Sequence, residues 1–265
     1  FARCKEEDIN AVAVSLKKAN HSAILLLVPS SDLHIEKKLQ LTRDKLFELA
    51  EKMLIRCKED FTEIHFALED VTRADPLFVY RLVELAVEHK VNCVILPDTV
   101  GYAQPEEIEE LVRDLSTRFP TQKFSIHCHN DLGLATANTL AAIRGGVQQI
   151  QVTINGIGER SGNAALEEVI ASFVARPDYY QGRTIDIKTK KISTVSELVY
   201  KALGRASSFE KSVVGVNSFR HAAGIHVDGI KKDAKTYEII TPEIFGRTRE
   251  IITDRHSGKS GETQE

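Results

Sequence analysis

The 265-residue sequence lacks the features that mark several classes of protein. It has no tryptophan and no excess of either charge, with 35 Lys and Arg against 38 Asp and Glu, which gives a formal net charge of −3. A nucleic-acid-binding surface needs a basic excess, which is missing here. The apolar run AILLLV has the length of one strand, whereas a membrane span needs about 20 residues. We therefore expect neither a nucleic-acid partner nor a membrane.

Cysteines are also few, and they are scattered along the chain. The four of them, Cys4, Cys57, Cys93 and Cys128, form no CxxC pair, as is usual for reduced thiols in a cytosolic compartment. No secretory signal is visible, so we predict a cytoplasmic protein. The chain starts with Phe1 rather than Met, inside what resembles the end of a strand, and this start suggests part of a longer protein.

What the sequence does contain is a strict alternation of apolar strands and amphipathic helices. A helix predicted at 5–18 precedes five strand–loop–helix units, and alternation of this kind predicts parallel strands with right-handed crossovers. Two architectures fit, a doubly wound sheet and a (β/α)₈ barrel, although five strands cannot close the barrel. The predicted strands are 22–28, 63–68, 91–96, 123–129 and 149–154.

Two histidines stand at the end of the fourth predicted strand. Side chains two residues apart share a face of a strand, so His127 and His129 project together while Cys128 points away. The next strand ends in NGIGERSGN, which brings further polar groups to the same rim if the two strands are parallel neighbours. Such a set suits a divalent metal with open positions. A His-x-His pair alone is more often a polar strand end, and the glycine spacing does not match a dinucleotide-binding loop. The polar residues of the second loop are Asn155, Glu159, Arg160 and Asn163.

The stretches HCHNDLGLATAN and TINGIGERSGNAALEEV closely resemble the 2-isopropylmalate synthase family and its relatives, the homocitrate and citramalate synthases. Members of that family are metal-dependent TIM barrels that join the acetyl group of acetyl-CoA to a 2-oxo acid. The resemblance implies that His127 and His129 are metal ligands and that Asn163 is a further ligand, direct or through water. Mixed histidine and oxygen ligation leaves Mn²⁺, Mg²⁺ and Zn²⁺ open.

The resemblance also implies an incomplete TIM barrel. The five strands then correspond to strands four to eight, with the first two and most of the third absent. We predict a partial (β/α) barrel catalytic domain over residues 1–176 and a small helical linker subdomain over residues 177–265, with a helix at 194–203.

Five more residues match functional positions of the family. Glu69 and Thr99 come at the ends of two strands, and each has a structural alternative. Glu69 could be a carboxylate at a helix N-terminus or an ion-pair partner of Arg73, and Thr99 could be a cap or turn hydroxyl. A lone His on a helix is usually a surface or packing residue, so His226 is chosen only because of the resemblance. The implied roles are catalysis for Glu69, His226 and Tyr237, and substrate binding for Thr99 and Asn130.

The function implied by the resemblance is the condensation of acetyl-CoA with 2-oxoisovalerate to 2-isopropylmalate, a step of leucine biosynthesis, by a homodimer. Citramalate or homocitrate synthesis and a non-catalytic barrel are the alternatives. Leu25 stands where the family commonly has a cavity-facing His, and Ala67 where a Ser is frequent. The family's first-strand motif, with an Asp ligand and an Arg, is missing. We therefore expect the 265-residue chain alone to be poorly active.

Overall fold

The computed structural model describes residues 1–180 and 182–252 of the chain. These residues form two compact units. The first contains Phe1–Val152 and Ile157–Ala164, and the second contains Thr153–Gly156 and the described residues from Ala165 onward. The domain boundary after residue 176 stays a prediction.

The first unit is built on one sheet of six parallel strands. Each strand pairs with the next one along the chain, in the order β1-β2-β3-β4-β5-β6. A doubly wound sheet reverses its strand order at a switch point, whereas the wall of a barrel does not. The strand order is therefore that of an incomplete barrel, as predicted. The first strand, β1, is only two residues long, which agrees with the strand end predicted beside Phe1. The strands are β1 (Ala2–Arg3), β2 (Ala23–Pro29), β3 (Glu63–Glu69), β4 (Cys93–Asp98), β5 (Phe124–Cys128) and β6 (Gln149–Gln151).

Helices connect these strands, and the residues before two of them act as side-chain N-caps. The Thr42 hydroxyl accepts a hydrogen bond from the Lys45 amide at 3.3 Å, and Asp75 accepts one from the Leu77 amide at 2.8 Å. Between β2 and β3, a π-helical turn at Leu33–Lys38 comes first, and a separate helix capped by Thr42 follows it. The helices of this unit are α1 (Glu6–Leu16), α2 (Arg43–Asp60), α3 (Pro76–Glu88), α4 (Pro105–Arg118) and α5 (Ala135–Gly145).

The two faces of the sheet differ in polarity. One face carries fully buried apolar side chains, among them Leu26, Phe66 and Phe124. The other face carries polar groups, and on it Cys93 Sγ of β4 lies 3.4 Å from Gln149 Oε1 of β6, although β5 runs between the two strands. Contact across an intervening strand requires strong curvature of the sheet, as in a barrel wall. The polar face is therefore the concave one.

The second unit is mainly helical, as predicted. Ile170, Ile192, Val214 and Phe245 form its core. The helix predicted at 194–203 is present as Ile192–Ala202, and a pair of two-residue parallel strands was not predicted. In the described parts of both units, no helix combines the length and the apolar character needed to cross a membrane. The second unit contains α6 (Leu166–Ala175), α7 (Ile192–Ala202), α8 (Gly224–Lys232), β7 (Arg220–His221) and β8 (Glu250–Ile251).

Candidate metal centre and active site

The side chains of His127 and His129 face each other at the end of β5. Their Nε2 atoms are 3.3 Å apart, and the rings meet edge to face with centroids 4.9 Å apart. Cys128 between them is fully buried. The common orientation of the two imidazoles follows the two-residue period of the strand, whereas their role as metal ligands stays a prediction.

The loop after β6 brings Asn163 beside His129. These two residues form an isolated antiparallel bridge, and the amide of Asn130 donates to the Gly162 carbonyl at 2.9 Å. The Asn163 Oδ1 atom is buried without a hydrogen-bond partner. Gly158 leaves the space that this side chain occupies, because a Cβ at that position would overlap it. A buried acceptor without a donor is costly, and a bound cation would remove that cost.

Both histidines are held in the neutral form that binds metals. Burial lowers the pKa of His127 most, and the neighbouring charge of His129 lowers it further. Burial also has the largest effect in lowering the pKa of His129, followed by the charge of Arg160. A neutral imidazole offers a lone pair, so both rings suit metal ligation at neutral pH.

The donor set fits a divalent ion that takes further ligands from elsewhere. Two nitrogens that each lie about 2.0–2.1 Å from one ion are separated by at most about 4.2 Å, so the observed 3.3 Å permits a shared ion. The unpartnered oxygen of Asn163 is the third candidate donor. Within residues 1–180 and 182–252, however, no group of three His, Cys, Asp or Glu side chains could hold a metal.

Glu69, at the end of β3, is fixed by a lysine. Its two carboxylate oxygens accept from Lys38 Nζ at 2.8 and 2.9 Å, and His34 Nδ1 lies 3.4 Å away. The predicted alternative, an ion pair with Arg73, is wrong, because Arg73 contacts the Asp70 carboxylate at 2.9 Å. Glu69 borders a cavity of about 750 Å³ whose lining includes Arg3, Leu27, Pro29, Lys38 and Lys52 but neither His127 nor His129.

The two predicted substrate-binding residues have structural partners. Thr99 Oγ1 accepts a hydrogen bond from the Asp70 amide at 2.8 Å, as expected of a turn hydroxyl. Asn130 Oδ1 accepts from the Ala135 amide, the first residue of α5, at 3.1 Å. The Thr99 hydroxyl proton and the Asn130 amide protons remain donors in chemical terms, so both residues can also bind a carboxylate.

His226 and Tyr237 lie together in the second unit. Their rings are stacked with centroids 4.1 Å apart and an interplanar angle of 27°. Gly229 on α8 allows this contact, because a Cβ there would meet the Tyr237 ring at 2.5 Å. Both residues were predicted from the family resemblance, but their stacking was not, because they are eleven residues apart and lie on separate elements.

One interaction at this rim was missed. Arg160 was recognised as a polar residue of the rim, but its ion pair with Asp131, at 2.7 Å, was not predicted. The two motifs could have predicted this ion pair. HNDLG contains an acidic residue and NGIGER a basic residue, and the two motifs follow neighbouring parallel strands.

The concave sheet face and the unbroken strand order define a partial (β/α) barrel, and comparisons with known proteins agree with this architecture. A family model described as HMGL-like matches residues 1–199, and one described as homocitrate synthase post-HMGL domain-like matches residues 213–264. The chain belongs to the HMGL-like family.

The most informative relatives are 2-isopropylmalate synthases, which confirms the resemblance seen in the motifs. The enzyme of Aquifex aeolicus is 40% identical over 263 residues, which cover 98% of this chain and 51% of the relative. That of Caldanaerobacter subterraneus is 42% identical over 249 residues, covering 93% and 62%. The chain thus spans about half the length of most of the curated relatives it matches.

Solved structures support the fold. The HMG-CoA lyase of Bacillus subtilis superposes with a TM-score of 0.63 at 19% identity, over 76% of this chain and 68% of the lyase. The hydroxymethylglutaryl-CoA lyase of Pseudomonas aeruginosa gives 0.63 at 16% identity, over 77% and 70%. At such identities the likeness establishes the architecture alone.

Proposed function

We propose that this chain is part of an enzyme that condenses acetyl-CoA with a 2-oxo acid, with 2-oxoisovalerate as substrate. Water then hydrolyses the thioester of the condensation product, which gives 2-isopropylmalate and free CoA. The observation that carries the proposal is the facing pair of His127 and His129 nitrogens beside the unpartnered Asn163 oxygen. The names of the relatives supply the reaction type. In that role the protein belongs to leucine biosynthesis.

A divalent metal, Mn²⁺, Mg²⁺ or Zn²⁺, is the implied cofactor, and His127, His129 and Asn163 would hold it. When bound, the ion polarises the keto carbonyl of the oxo acid as a Lewis acid, which contributes several kcal/mol of transition-state charge stabilisation. The chain prepares this site in advance. Burial keeps both imidazoles neutral, and the loop after β6 presents the Asn163 oxygen beside His129.

Proton transfer is the second requirement, because the methyl group of acetyl-CoA must lose a proton before it can attack. We assign this step to His226 with Tyr237, whose stacked rings restrict each other's rotation. Glu69 is the third catalytic group of the proposal, and Lys38 holds its carboxylate in one orientation. Thr99 and Asn130 are proposed to donate hydrogen bonds to the carboxylate of the oxo acid.

The identity of the oxo acid depends on the concave face. Leu25 of β2 is opposite His65 of β3 in the parallel register, and the half-buried Leu27 is opposite Ala67. Although His65 is polar, the apolar side chains of Leu25, Leu27 and Ala67 favour an oxo acid with an aliphatic branch over one with a second carboxylate, because an unpaired carboxylate beside them would lose its hydration. This favours 2-isopropylmalate synthesis over homocitrate synthesis.

The test uses the full-length gene product that contains this chain, loaded with Mn²⁺. We expect thiol release from acetyl-CoA with 2-oxoisovalerate, and loss of both metal and rate in His127→Ala. His21→Ala, which removes an exposed histidine between α1 and β2, should retain both. A His127→Ala enzyme that keeps its metal and its rate would refute the assignment. A metal-loaded wild type that is inactive with every 2-oxo acid would identify the non-catalytic alternative.

Two further expectations accompany the proposal. The 265-residue chain alone should bind Mn²⁺ weakly and turn over poorly, because two imidazoles and one amide supply no negative charge to the ion. A homodimer is proposed from the family resemblance, and light scattering of the full-length protein tests it. Condensation by the isolated chain at the full-length rate would contradict the first expectation.

A further inference from the structure

Three loops of the first unit meet at the rim that carries the histidine pair. The His129 amide donates to the Asp98 carbonyl at 3.3 Å, and the Asn130 amide donates to the Gly162 carbonyl at 2.9 Å. Gly101 has a φ of +60°, and a Cβ there would lie 2.7 Å from the Asp131 nitrogen. The loops after β4, β5 and β6 are therefore packed against each other without room for a further methyl group.

One side chain joins all three loops. Arg160, in the loop after β6, donates from Nε to Asp131 Oδ1 at 2.7 Å and from Nη2 to Asp131 Oδ2 at 2.8 Å. The same Nη2 donates to the backbone carbonyl of Thr99, in the loop after β4, at 2.8 Å. A planar guanidinium can make these three bonds at once, whereas an ammonium cannot reproduce the two parallel bonds to a carboxylate.

The backbone of Arg160 indicates that this side chain is required. Its φ is +50°, in the left-handed region that a residue with a Cβ adopts at a cost and that Gly or Asn adopts more readily. If only the turn mattered, a glycine would serve better at this position. The side-chain bonds to Asp131 and Thr99 outweigh the backbone cost.

The hydrogen bonds of Arg160 to Asp131 and Thr99 are called the clamp below. Asp131 and Arg160 are close in sequence to the candidate metal ligands. Asp131 lies two residues after His129, and Arg160 lies three residues before Asn163. His129 and Asn163 are themselves bridged through their backbones. A fixed distance between Asp131 and Arg160 therefore fixes both strands of this bridge. The pair is formally neutral, so it adds no net charge beside a bound cation.

We propose that Arg160 is a positioning residue of the metal site, which acts by clamping the loops that present His129 and Asn163. The proposal rests on the metal site of the proposed function. Arg160 does not touch the ion in this role. A different role, binding of the substrate's own carboxylate, would leave metal affinity in the absence of substrate unchanged, so the two roles are separable.

The test measures Mn²⁺ affinity without substrate in the full-length protein, together with amide hydrogen exchange of residues 129–133 and 157–163 in the metal-free state. The variants are Arg160→Gln, Arg160→Lys and Arg160→Gly, with Arg118→Gln as control. Arg118 makes a comparable ion pair with Asp114, at 2.8 Å, on α4. We expect Mn²⁺ binding to weaken about 10- to 100-fold in Arg160→Gln and Arg160→Gly, as for other residues that orient metal ligands, and less in Arg160→Lys.

Arg160→Gly is the decisive variant, since it relieves the left-handed backbone while removing the clamp. Weaker binding and faster exchange in both loops, with Arg118→Gln unchanged, would support the proposal. Affinity within twofold of wild type in Arg160→Gln and Arg160→Gly would overturn it, as would a higher KM for the oxo acid at unchanged Mn²⁺ affinity. A folded wild type that binds no Mn²⁺ overturns the proposed metal site itself, so that failure is distinct.

Discussion

The Nδ1 atom of His127 lies 3.0 Å from Oε1 of Gln151, its neighbour in register on β6. When the Gln151 amide oxygen accepts the Nδ1 proton, Nε2 retains the lone pair that faces His129. This hydrogen bond thus selects the tautomer that a metal needs, and it also fixes the rotation of the ring.

Replacing Gln151 should weaken metal binding without removing a ligand. In Gln151→Leu the His127 ring loses its orienting acceptor, and we expect Mn²⁺ affinity to fall about 10- to 100-fold in a titration of the full-length protein. Gln149→Leu is the matched control, because Gln149 is on the same strand and face but contacts Cys93. Equal affinities for wild type and Gln151→Leu would mean that ring orientation is set elsewhere.

Gly158 and Gly133 provide a second matched pair. A Cβ at Gly158 would overlap the Asn163 side chain, whereas a Cβ at Gly133 has nothing within 4 Å but sits at a φ of +76°. Gly158→Ala should therefore displace Asn163 and lower Mn²⁺ affinity with a stability loss of about 1 kcal/mol, because the new Cβ meets the end of a side chain that can rotate away and not the backbone. Gly133→Ala should cost about 1–2 kcal/mol of backbone strain and leave the affinity unchanged. Weaker Mn²⁺ binding in Gly133→Ala but not in Gly158→Ala would show that Asn163 is not a metal ligand.

The fold was largely predictable because its signals are local. Buried runs such as Ala23–Pro29 and caps such as Thr42 and Asp75 determine where strands and helices begin, and the alternation then determines parallel winding. The orientation of His127 and His129 followed from the two-residue period of a strand. These features need no knowledge of distant residues.

The ion pairs of the rim were not predictable for the opposite reason. Asp70 adopts a φ of +66°, and its side chain is buried with Arg73, which leaves Glu69 to pair with Lys38 from the π-helical turn. Arg160 likewise reaches Asp131 from a left-handed backbone. Such loop conformations depend on contacts between segments far apart in sequence. The strands β7 and β8 contain two residues each, too few for any periodicity.

An acid-sensitive cluster stabilises the second unit. The Glu238 carboxylate accepts from Arg249 Nε and Nη2 at 2.7 and 2.6 Å and contacts His221 Nε2 at 3.1 Å. The Arg249 hydrogen bonds lower the pKa of Glu238 below its ordinary 4.5, with a smaller contribution from His221. A lowered pKa means that this stabilisation is complete above that ordinary value and is lost as pH falls through the folded-state pKa.

Glu238→Gln should therefore cost about 2 kcal/mol of unfolding free energy at neutral pH and less in acid, where the wild-type carboxylate is protonated too. Urea unfolding across that range measures the difference. Glu250→Gln removes a more exposed carboxylate, paired with Arg220 at 2.6 Å, and should change stability by less than about 1 kcal/mol. A Glu238→Gln penalty that is independent of pH would show that packing, and not the ion pair, is lost.

Glu167 is expected to have the opposite effect from Glu238 on how stability depends on pH. It is fully buried on α6, and its Oε2 accepts a hydrogen bond from the Asn155 amide at 3.0 Å. Lys211 Nζ lies 3.5 Å from Glu167 Oε1, because this lysine makes its closer contact, a hydrogen bond, with Glu168. Burial raises the pKa of Glu167 above its ordinary 4.5, an effect that Lys211 offsets only in part. A raised pKa means that folding favours the protonated form, so stability declines as pH rises through the folded-state value.

Glu167→Gln keeps an acceptor for Asn155 and removes the buried charge. We expect it to raise the free energy of unfolding by about 1 kcal/mol at neutral pH, with the gain shrinking toward acid, because replacing a poorly paired buried charge is often stabilising. Glu167→Ala should instead destabilise by about 1–3 kcal/mol, since the Asn155 amide is then buried without an acceptor. If Glu167→Gln destabilises more at neutral pH than in acid, the carboxylate gains more from Lys211 than it loses by burial, and the sign of its pH dependence is reversed.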